Sequence, residues 1–401
     1  MIYQNPQQSN KRSFFNQADK VLNTFIQACN QLKIKVQEPE FIETEYEGDR
    51  VEVEQKLLNY MLPQKGSVFR HPKMVVVVLG QENNYKMYKE LFQEYKIPSQ
   101  IVTVRNANSF NPSKASNILR QINSKIGGDL FHLKFPEAVD KMRSMLIGID
   151  VCHSGPNSIV GLACSINREM SQYYSEYLVQ RKGQEIVENQ MKEALKKAIE
   201  AFAGMHKGML PTNYIIYRDG VGDAMRNQVI DKEIAQFREV FAEIYNKTEM
   251  TPQITLIVVN KRITQRFFIQ DHNGNLTNPP SGCIVDQGLV ENSGSEDKPD
   301  QGFDFFITPS GANQGCVLPT HMHVPLNESQ LKKVEIQHLT FALCHYYFNW
   351  AGSIKVPAPC QYAHKIADFY VSSGLARRSK VHSSYNGKKG GVNPMQMQAV
   401  K

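Results

Sequence analysis

Hydrophobic residues recur at helical spacing between Ser13 and Lys35 (Phe14, Phe15, Val21, Leu22, Phe25, Ile26), which predicts a helix. Val51 to Met61 predicts a second one. Met74 to Leu79 is a short, continuous apolar run rich in valine, the pattern of a strand buried on both faces. A helix is expected over Asn84 to Tyr95, a strand over Gln100 to Val104, and a helix over Ser113 to Lys125 that stops at Gly127-Gly128. Strand alternating with helix predicts an α/β unit of Rossmann-like type.

A second unit begins with the apolar strand Met145 to Val151 (MLIGIDV). Ser158 to Cys164 and Gln172 to Val179 predict two further strands, and three strands in succession predict an antiparallel meander. Then come a helix (Gln184 to Phe202), a strand (Tyr214 to Tyr217), a helix (Asp231 to Tyr245) and strands at Ile254 to Val259 and Phe303 to Thr308. Leu331 to Trp350 contains a helix and Gln361 to Ser372 forms the last. That order is the order of a ribonuclease H-like fold. The fold class is therefore α/β, with residues 1–12 as a flexible lead-in, 13–135 and 136–374 as two domains, and 375–401 as a disordered tail. Gly288 to Gly302 is polar and reads as a mobile loop.

Composition narrows the classes. The chain has 401 residues, 41% hydrophobic and 21% charged, which fits a folded globular protein. No apolar run is long enough to cross a membrane, and the polar N-terminus lacks the apolar core of a secretory signal. The seven cysteines are scattered without a CxxC, so neither a zinc finger nor a disulfide framework is expected; a reducing compartment, cytoplasm or nucleus, is. Of the formal charge of +7, the stretch after Gly374 carries Arg377, Arg378, Lys380, Lys388, Lys389 and Lys401 with no acid. The rest is near neutral, so charge alone does not argue for nucleic acid; the tail reads as a solvated end.

The candidate chemistry starts with two acids. Asp150 ends MLIGIDV and Asp219 ends YIIYRD, placing two carboxylates at the ends of strands expected side by side. Mg²⁺ takes such oxygen ligands, and paired ions serve phosphodiester cleavage. An aspartate at a strand end is also a common turn former.

The segments GIDVCHSG, GQEIVEN, YRDGVGD, NKRITQRFF and VPAPCQYAHKIADF occur in that order. In these the chain resembles the middle and Piwi domains of the Argonaute family, closest to the Piwi clade, over nearly all of Ser13 to Gly374. The resemblance implies a Rossmann-like middle domain (13–135) and a ribonuclease H-like Piwi domain (136–374). It implies a catalytic tetrad of Asp150, Glu185, Asp219 and His364, with Asp150, Asp219 and His364 as ligands to Mg²⁺ (Mn²⁺ as a substitute) and Glu185 as the glutamate that closes the site. Glu188 is the competing position for Glu185, and an acid in a helix's first turn is the plain alternative. The implied reaction is hydrolysis of an RNA paired to a small guide RNA, one ion activating water and the other neutralising the leaving oxygen.

The resemblance also implies a pocket for the guide's 5′ phosphate. Tyr85 and Lys89 lie four apart on one helix face, as do Gln121 and Lys125, and Gln100 opens a strand between them. Tyr85 would stack on the first base, while Lys89, Gln100, Gln121 and Lys125 would donate to phosphate. Lys261, Arg262 and Arg266 read equally as phosphate contacts or a solvated turn, and His321 as a core or hydrogen-bonding histidine. The chain has no room for the family's N-terminal and PAZ domains, so either guide loading differs or the chain is a fragment. The family's apolar end is replaced here by the basic tail. The implied partners are a 5′-phosphorylated guide, a complementary target RNA and silencing proteins, with no membrane, for a monomer. The alternatives are a guide-binding recruitment module without efficient cutting, and a truncated structural binder.

Overall fold

The computed structural model describes residues 1–4, 11–35, 39–44, 49–61, 72–80, 82–188, 190–290, 302–312, 314–329 and 331–373. The chain separates into two compact units, Met1–Leu130 and Phe131–Val371.

The first unit runs β1 (Ile2–Gln4), α1 (Lys11–Gln31), β2 (Ile42–Thr44), α2 (Arg50–Met61), β3 (Val75–Val78), α3 (Tyr85–Glu94), β4 (Ser99–Val102), α4 (Val104–Asn108) and α5 (Pro112–Lys125). Its sheet has the order β2-β1-β3-β4 and every pairing is parallel. The valine run explains the two faces. Val75 and Val77 pack with Val53, Leu57, Leu91 and Phe92 of α2 and α3. Val78, with Val76 beside it, packs with Val21, Phe25 and Leu119 of α1 and α5. Strand period 2 thus clothes both faces with helices. Asn111 caps α5 by accepting from Lys114 N at 2.9 Å, with Pro112 at its first position. The expected flexible lead-in is corrected at its start: β1 lies inside the sheet and Ile2 is buried. Three residues are too few to show periodicity, and β2 and the five-residue α4 are hidden from the sequence pattern in the same way.

The second unit runs α6 (Glu137–Lys141), β5 (Ser144–Cys152), β6 (Ser158–Ser165), β7 (Tyr173–Gln180), α7 (Met191–Met205), β8 (Asn213–Asp219), α8 (Arg226–Gln228), a π-helical turn (Val229–Ile234), α9 (Ala235–Ile244) and β9 (Gln253–Asn260). There follow the small hairpin β10 (Ile269–Gln270) and β11 (Leu276–Thr277), then β12 (Cys283–Val285), β13 (Phe303–Thr308), β14 (Thr320–Asn327), α10 (Lys333–Cys344) and α11 (Ala358–Ser373). The eight-stranded sheet has the order β12-β13-β14-β9-β8-β5-β6-β7. β5, β8 and β9 are parallel neighbours, while β5-β6-β7 is the antiparallel meander.

One face of this sheet, with Ile147, Ile149, Tyr214 and Ile216, packs on α7 and α9. The other receives α11 at very short range. A Cβ at Gly148 would sit 2.0 Å from Pro359 O, and one at Gly161 would sit 1.9 Å from Ala363 O. Only glycine lets the helix backbone lie this close. β14 does not stand out in the sequence because Pro325 interrupts it; the register with β9 shifts between His323 and Leu326, which accommodates the proline. α7 starts at Met191, not Gln184, because side chains of other elements hold the backbone of the preceding segment instead: Gln180 bonds Gln184 O, Arg218 bonds Glu185 O, and Glu233 and Gln236 bond Val187. Most of the polar loop expected over 288–302, and the basic tail, lie outside the described residues.

Candidate active site and anion pocket

Asp150 and Asp219 stand on adjacent parallel strands, where Ile149 pairs with Arg218. Both carboxylates face α11. Asp150 lies directly across from Gly161, the glycine against which the Ala363 carbonyl rests, and His364 is the next helix residue. The close packing therefore delivers His364 Nδ1 to Asp150 Oδ2 at 2.8 Å. Asp219 is almost wholly buried; its Oδ2 accepts from Lys261 Nζ at 2.6 Å, and its Oδ1 has no hydrogen-bond partner among the described residues. Burial pushes the Asp219 carboxyl above its ordinary range, with Lys261 opposing and Asp150 adding to the shift. Burial works against the Lys261 charge, but the Asp219 carboxylate outweighs it and raises that lysine.

Glu185 joins them from the segment before α7. A methyl group at Gly220 would lie 3.8 Å from Glu185 Oε1 and 3.9 Å from Asp150 Oδ1, so both acids border the same spot. Glu185 is not in a helix's first turn, and two groups hold it. His153 Nε2 lies 2.8 Å from Glu185 Oε2 while its Nδ1 meets Ser158 Oγ at 2.8 Å. Arg218, on the opposite face of β8 from Asp219, is completely buried. Its Nη2 donates to Glu185 O at 2.7 Å and lies 3.0 Å from Glu185 Oε1, its Nε donates to Glu233 Oε2 at 3.0 Å, and its Nη1 donates to Asp219 O at 2.5 Å. Burial opposes the guanidinium charge, yet the Glu233 and Glu185 carboxylates raise it above the ordinary arginine value. Glu233 comes from the π-helical turn and also accepts from Val187 N at 3.0 Å. Glu188 points elsewhere, to Lys232 at the surface.

The three acids and the histidine singled out in the sequence are thus brought to one place. Among the described residues, no three His, Cys, Asp or Glu side chains converge at metal-binding spacing. Lys261 and His364 instead engage one oxygen each of Asp219 and Asp150. The donor set still suits a hard cation, because Asp219 presents a buried carboxylate oxygen with no hydrogen-bond partner among the described residues. The basic cluster splits: Lys261 turns to Asp219, whereas Arg262 and Arg266 are exposed, and Arg266 donates to Ile263 O at 3.0 Å.

His321 and His323 alternate with Met322 on β14 and both meet the buried Asp304 of β13, His321 Nε2 at 3.3 Å. Burial opposes the Asp304 charge, but the bonds from His321 and His323 hold its carboxyl well below the usual range. His153, Arg218 and Glu233, which hold the site's acids or their neighbours, are not singled out by the sequence reading. Arg218 carries a signal: a charged residue inside the apolar run YIIYRD must find a buried partner.

The residues expected to form a phosphate site lie in the first unit, on α3, β4 and α5. Lys125 Nζ donates to Ser99 O at 2.8 Å and to Gln100 Oε1 at 2.7 Å. Lys89 Nζ donates to Ser99 O and Ser99 Oγ, each at 3.3 Å, and lies 5.9 Å from the Tyr85 ring centroid. Two ammonium groups thus share one carbonyl and have no acid beside them among these contacts. Burial lowers Lys89 to about 8. Burial, and then repulsion by Lys89, holds Lys125 well below the usual lysine value. Tyr85 is exposed. Gln121 is half-buried one turn before Lys125, and no hydrogen bond among the described residues ties it to the lysine pair.

The Piwi domain family matches residues 74–373. The chain is 36% identical to Piwi-like protein 1 of Gallus gallus over 82% of its own length and 37% of that protein's. It is 35% identical to Piwi-like protein 1 of Danio rerio over 91% of its length and 40% of that protein's. It thus spans well under half of the curated relatives it matches. Among solved structures, its fold matches Kluyveromyces polysporus Argonaute with a guide RNA, at a TM-score of 0.77 and 21% identity, over 97% of this chain and 48% of that one.

Proposed function

This chain belongs to the Piwi family, and we propose that it binds the 5′ end of a small guide RNA and cleaves complementary RNA. The guide would occupy the first unit, its 5′ phosphate between Lys89 and Lys125 and its first base on Tyr85. Gln100 would complete the donors by exchanging its bond with Lys125 for one to phosphate, and Gln121 would approach from α5. A binding mode read from phosphate contacts and stacking leaves sequence choice to base pairing. The K. polysporus neighbour, solved with a guide RNA, supports a guide as the ligand.

One observation carries the nuclease reading: two buried carboxylates stand on adjacent strands with a glutamate and a histidine beside Asp150, and one Asp219 oxygen has no partner among the described residues. Asp150, Asp219 and His364 would hold Mg²⁺ or Mn²⁺. When bound, such an ion supplies Lewis-acid activation of water and neutralises a departing oxygen. The chain's own residues do the rest. Arg218 fixes the backbone at both Glu185 and Asp219, so the two acids keep their separation as charge develops. His153, oriented by Ser158, directs the Glu185 carboxylate toward Asp150. α11 and the apolar sheet exclude water behind the acids.

A guide-binding module without efficient cutting is the second reading. It is favoured by Lys261 and His364 each holding an oxygen of the acid pair. Guide-programmed cleavage separates the two. The protein is loaded with a 5′-phosphorylated guide and Mg²⁺, given a labelled complementary target, and run beside Asp219→Ala. A single cut that needs guide and metal and is lost in D219A supports cleavage. No cut with 5′-phosphate-dependent guide binding moves the reading to the module.

A further inference from the structure

We propose that Lys261 is the resident counter-cation of the acid pair, and that a divalent ion binds there in competition with its ammonium group. The inference rests on the reading that Asp150 and Asp219 hold the metal, and adds what governs the ion's arrival. Asp219 is buried almost completely, and among the described residues the only hydrogen bond on its carboxylate oxygens is the 2.6 Å contact from Lys261 Nζ. A carboxylate buried beside a second one is unfavourable unless a cation accompanies it. Lys261 is placed to be that cation by the sheet. Asp219 pairs with Val259 across β8 and β9, so the residue two positions further, just past the end of β9, comes back over the Asp219 side chain. The other basic residues of this segment are occupied differently. Arg262 is exposed, and Arg266 is engaged with backbone carbonyls.

A lysine in this position has two effects of opposite sign. It makes folding of the acid pair independent of metal, because one positive charge is covalently supplied. It also repels an arriving divalent ion. A single and a double positive charge about 5 Å apart, even at the dielectric constant of water, repel by roughly a tenfold change in binding constant. A lower effective dielectric enlarges the ratio. Lys261 would therefore set the metal concentration at which the site fills, and its flexible stem lets the ammonium swing aside when it does.

The test is Mn²⁺ binding to the guide-free protein, followed by electron paramagnetic resonance of free Mn²⁺ and by calorimetry, on wild type, Lys261→Met and Asp219→Asn. K261M should bind Mn²⁺ at least about tenfold more tightly than wild type. In EDTA it should melt several degrees lower, and saturating Mn²⁺ should recover more of that loss than it adds to wild type. Lys261→Gln serves as the second variant, since its amide can still donate to Asp219 without a charge; it should tighten Mn²⁺ binding while melting nearer to wild type. Equal or weaker Mn²⁺ binding in K261M and K261Q, with D219N abolishing it, would overturn the competition and leave the metal reading intact. Mn²⁺ binding that D219N does not weaken, or none in wild type and K261M alike, would overturn both.

Discussion

Guide binding by a pair of buried lysines should take up protons. Lys89 is lowered to about 8 by burial, and Lys125 is also held well below its ordinary value. At pH 8 Lys89 alone is therefore about half protonated. A 5′ phosphate placed against both ammonium groups favours the charged forms and returns them toward full protonation. Binding at pH 8 should then draw in at least about half a proton from Lys89, with Lys125 adding to it. A phosphate monoester has lost its second proton by pH 8, since that group titrates near about 6, so the ligand contributes none of its own. The affinity should fall as pH rises: between pH 7 and pH 9, a lysine with this value that must be charged in the complex weakens binding about tenfold.

The assay is isothermal titration calorimetry of a short 5′-phosphorylated RNA at pH 8, repeated in buffers of different ionisation enthalpy. The slope of observed enthalpy against buffer enthalpy gives protons taken up. A 5′-hydroxyl RNA is the control and should show little uptake, and Lys89→Met should lose its share. The linkage applies to the unliganded protein with the opposite consequence. A lysine lowered on folding destabilises at pH below its folded value, and that penalty is relieved as pH rises through about 8 toward the unfolded value. Zero uptake with the phosphorylated RNA, together with affinity flat from pH 7 to pH 9, would refute the assignment of this pair as the phosphate site.

Replacing Arg218 by Met strands Glu233 in the interior and should lower stability by about 3–5 kcal/mol, read by urea unfolding; a loss under about 1 kcal/mol would mean the guanidinium is dispensable. Gly161→Ala drives a methyl into the Ala363 carbonyl, so α11 must shift; about 1–3 kcal/mol of stability should go, with cleavage falling further because His364 moves with the helix. Tyr85→Ala should weaken guide binding by about 1–3 kcal/mol, whereas Tyr85→Phe, which keeps the ring, should not. Asp304 has a depressed folded value, so its contribution is present above the ordinary carboxylate range and is lost as pH falls through that range toward the folded value. Asp304→Asn should therefore destabilise at pH 7 and narrow its gap to wild type as the pH is taken down to 3, measured by thermal melts.

The parts of the fold that are legible in the sequence are those in which one chemical rule governs a whole segment. β3 and β5 are apolar over nearly their full length because both faces are covered, and the alternation with helices then fixes a parallel sheet. The parts that are not legible depend on a single residue meeting something distant in sequence. β1 is three residues long and becomes a strand only because β2 and β3 flank it. β14 reads as a broken segment until the bulge at Pro325 and the pairing of its histidines with Asp304 are seen. Glu185 looks helical because the apolar spacing of α7 extends back past its true start, while the bonds from Arg218 and Gln236 that prevent helix there come from other strands and helices.

The same distinction applies inside the site. Asp150 and Asp219 are conspicuous because a carboxylate closes an apolar strand, whereas His364 and Glu185 emerge only by resemblance. The residues that hold them are of types that are ordinary in isolation. Gly148 and Gly161 interrupt apolar strands, a pattern that signals close backbone approach; two such glycines on neighbouring strands near Asp150 predict an element lying flat on the sheet at the acid. Arg218 inside YIIYRD likewise predicts a buried acid, and Glu233 is that acid. Each charge in this centre is matched by a group from a different element: Asp219 by Lys261, Arg218 by Glu233 and Glu185, Asp150 by His364. No single element can keep its charged residue buried alone, so the acids come together only when the sheet, the π-helical turn and α11 are all in place.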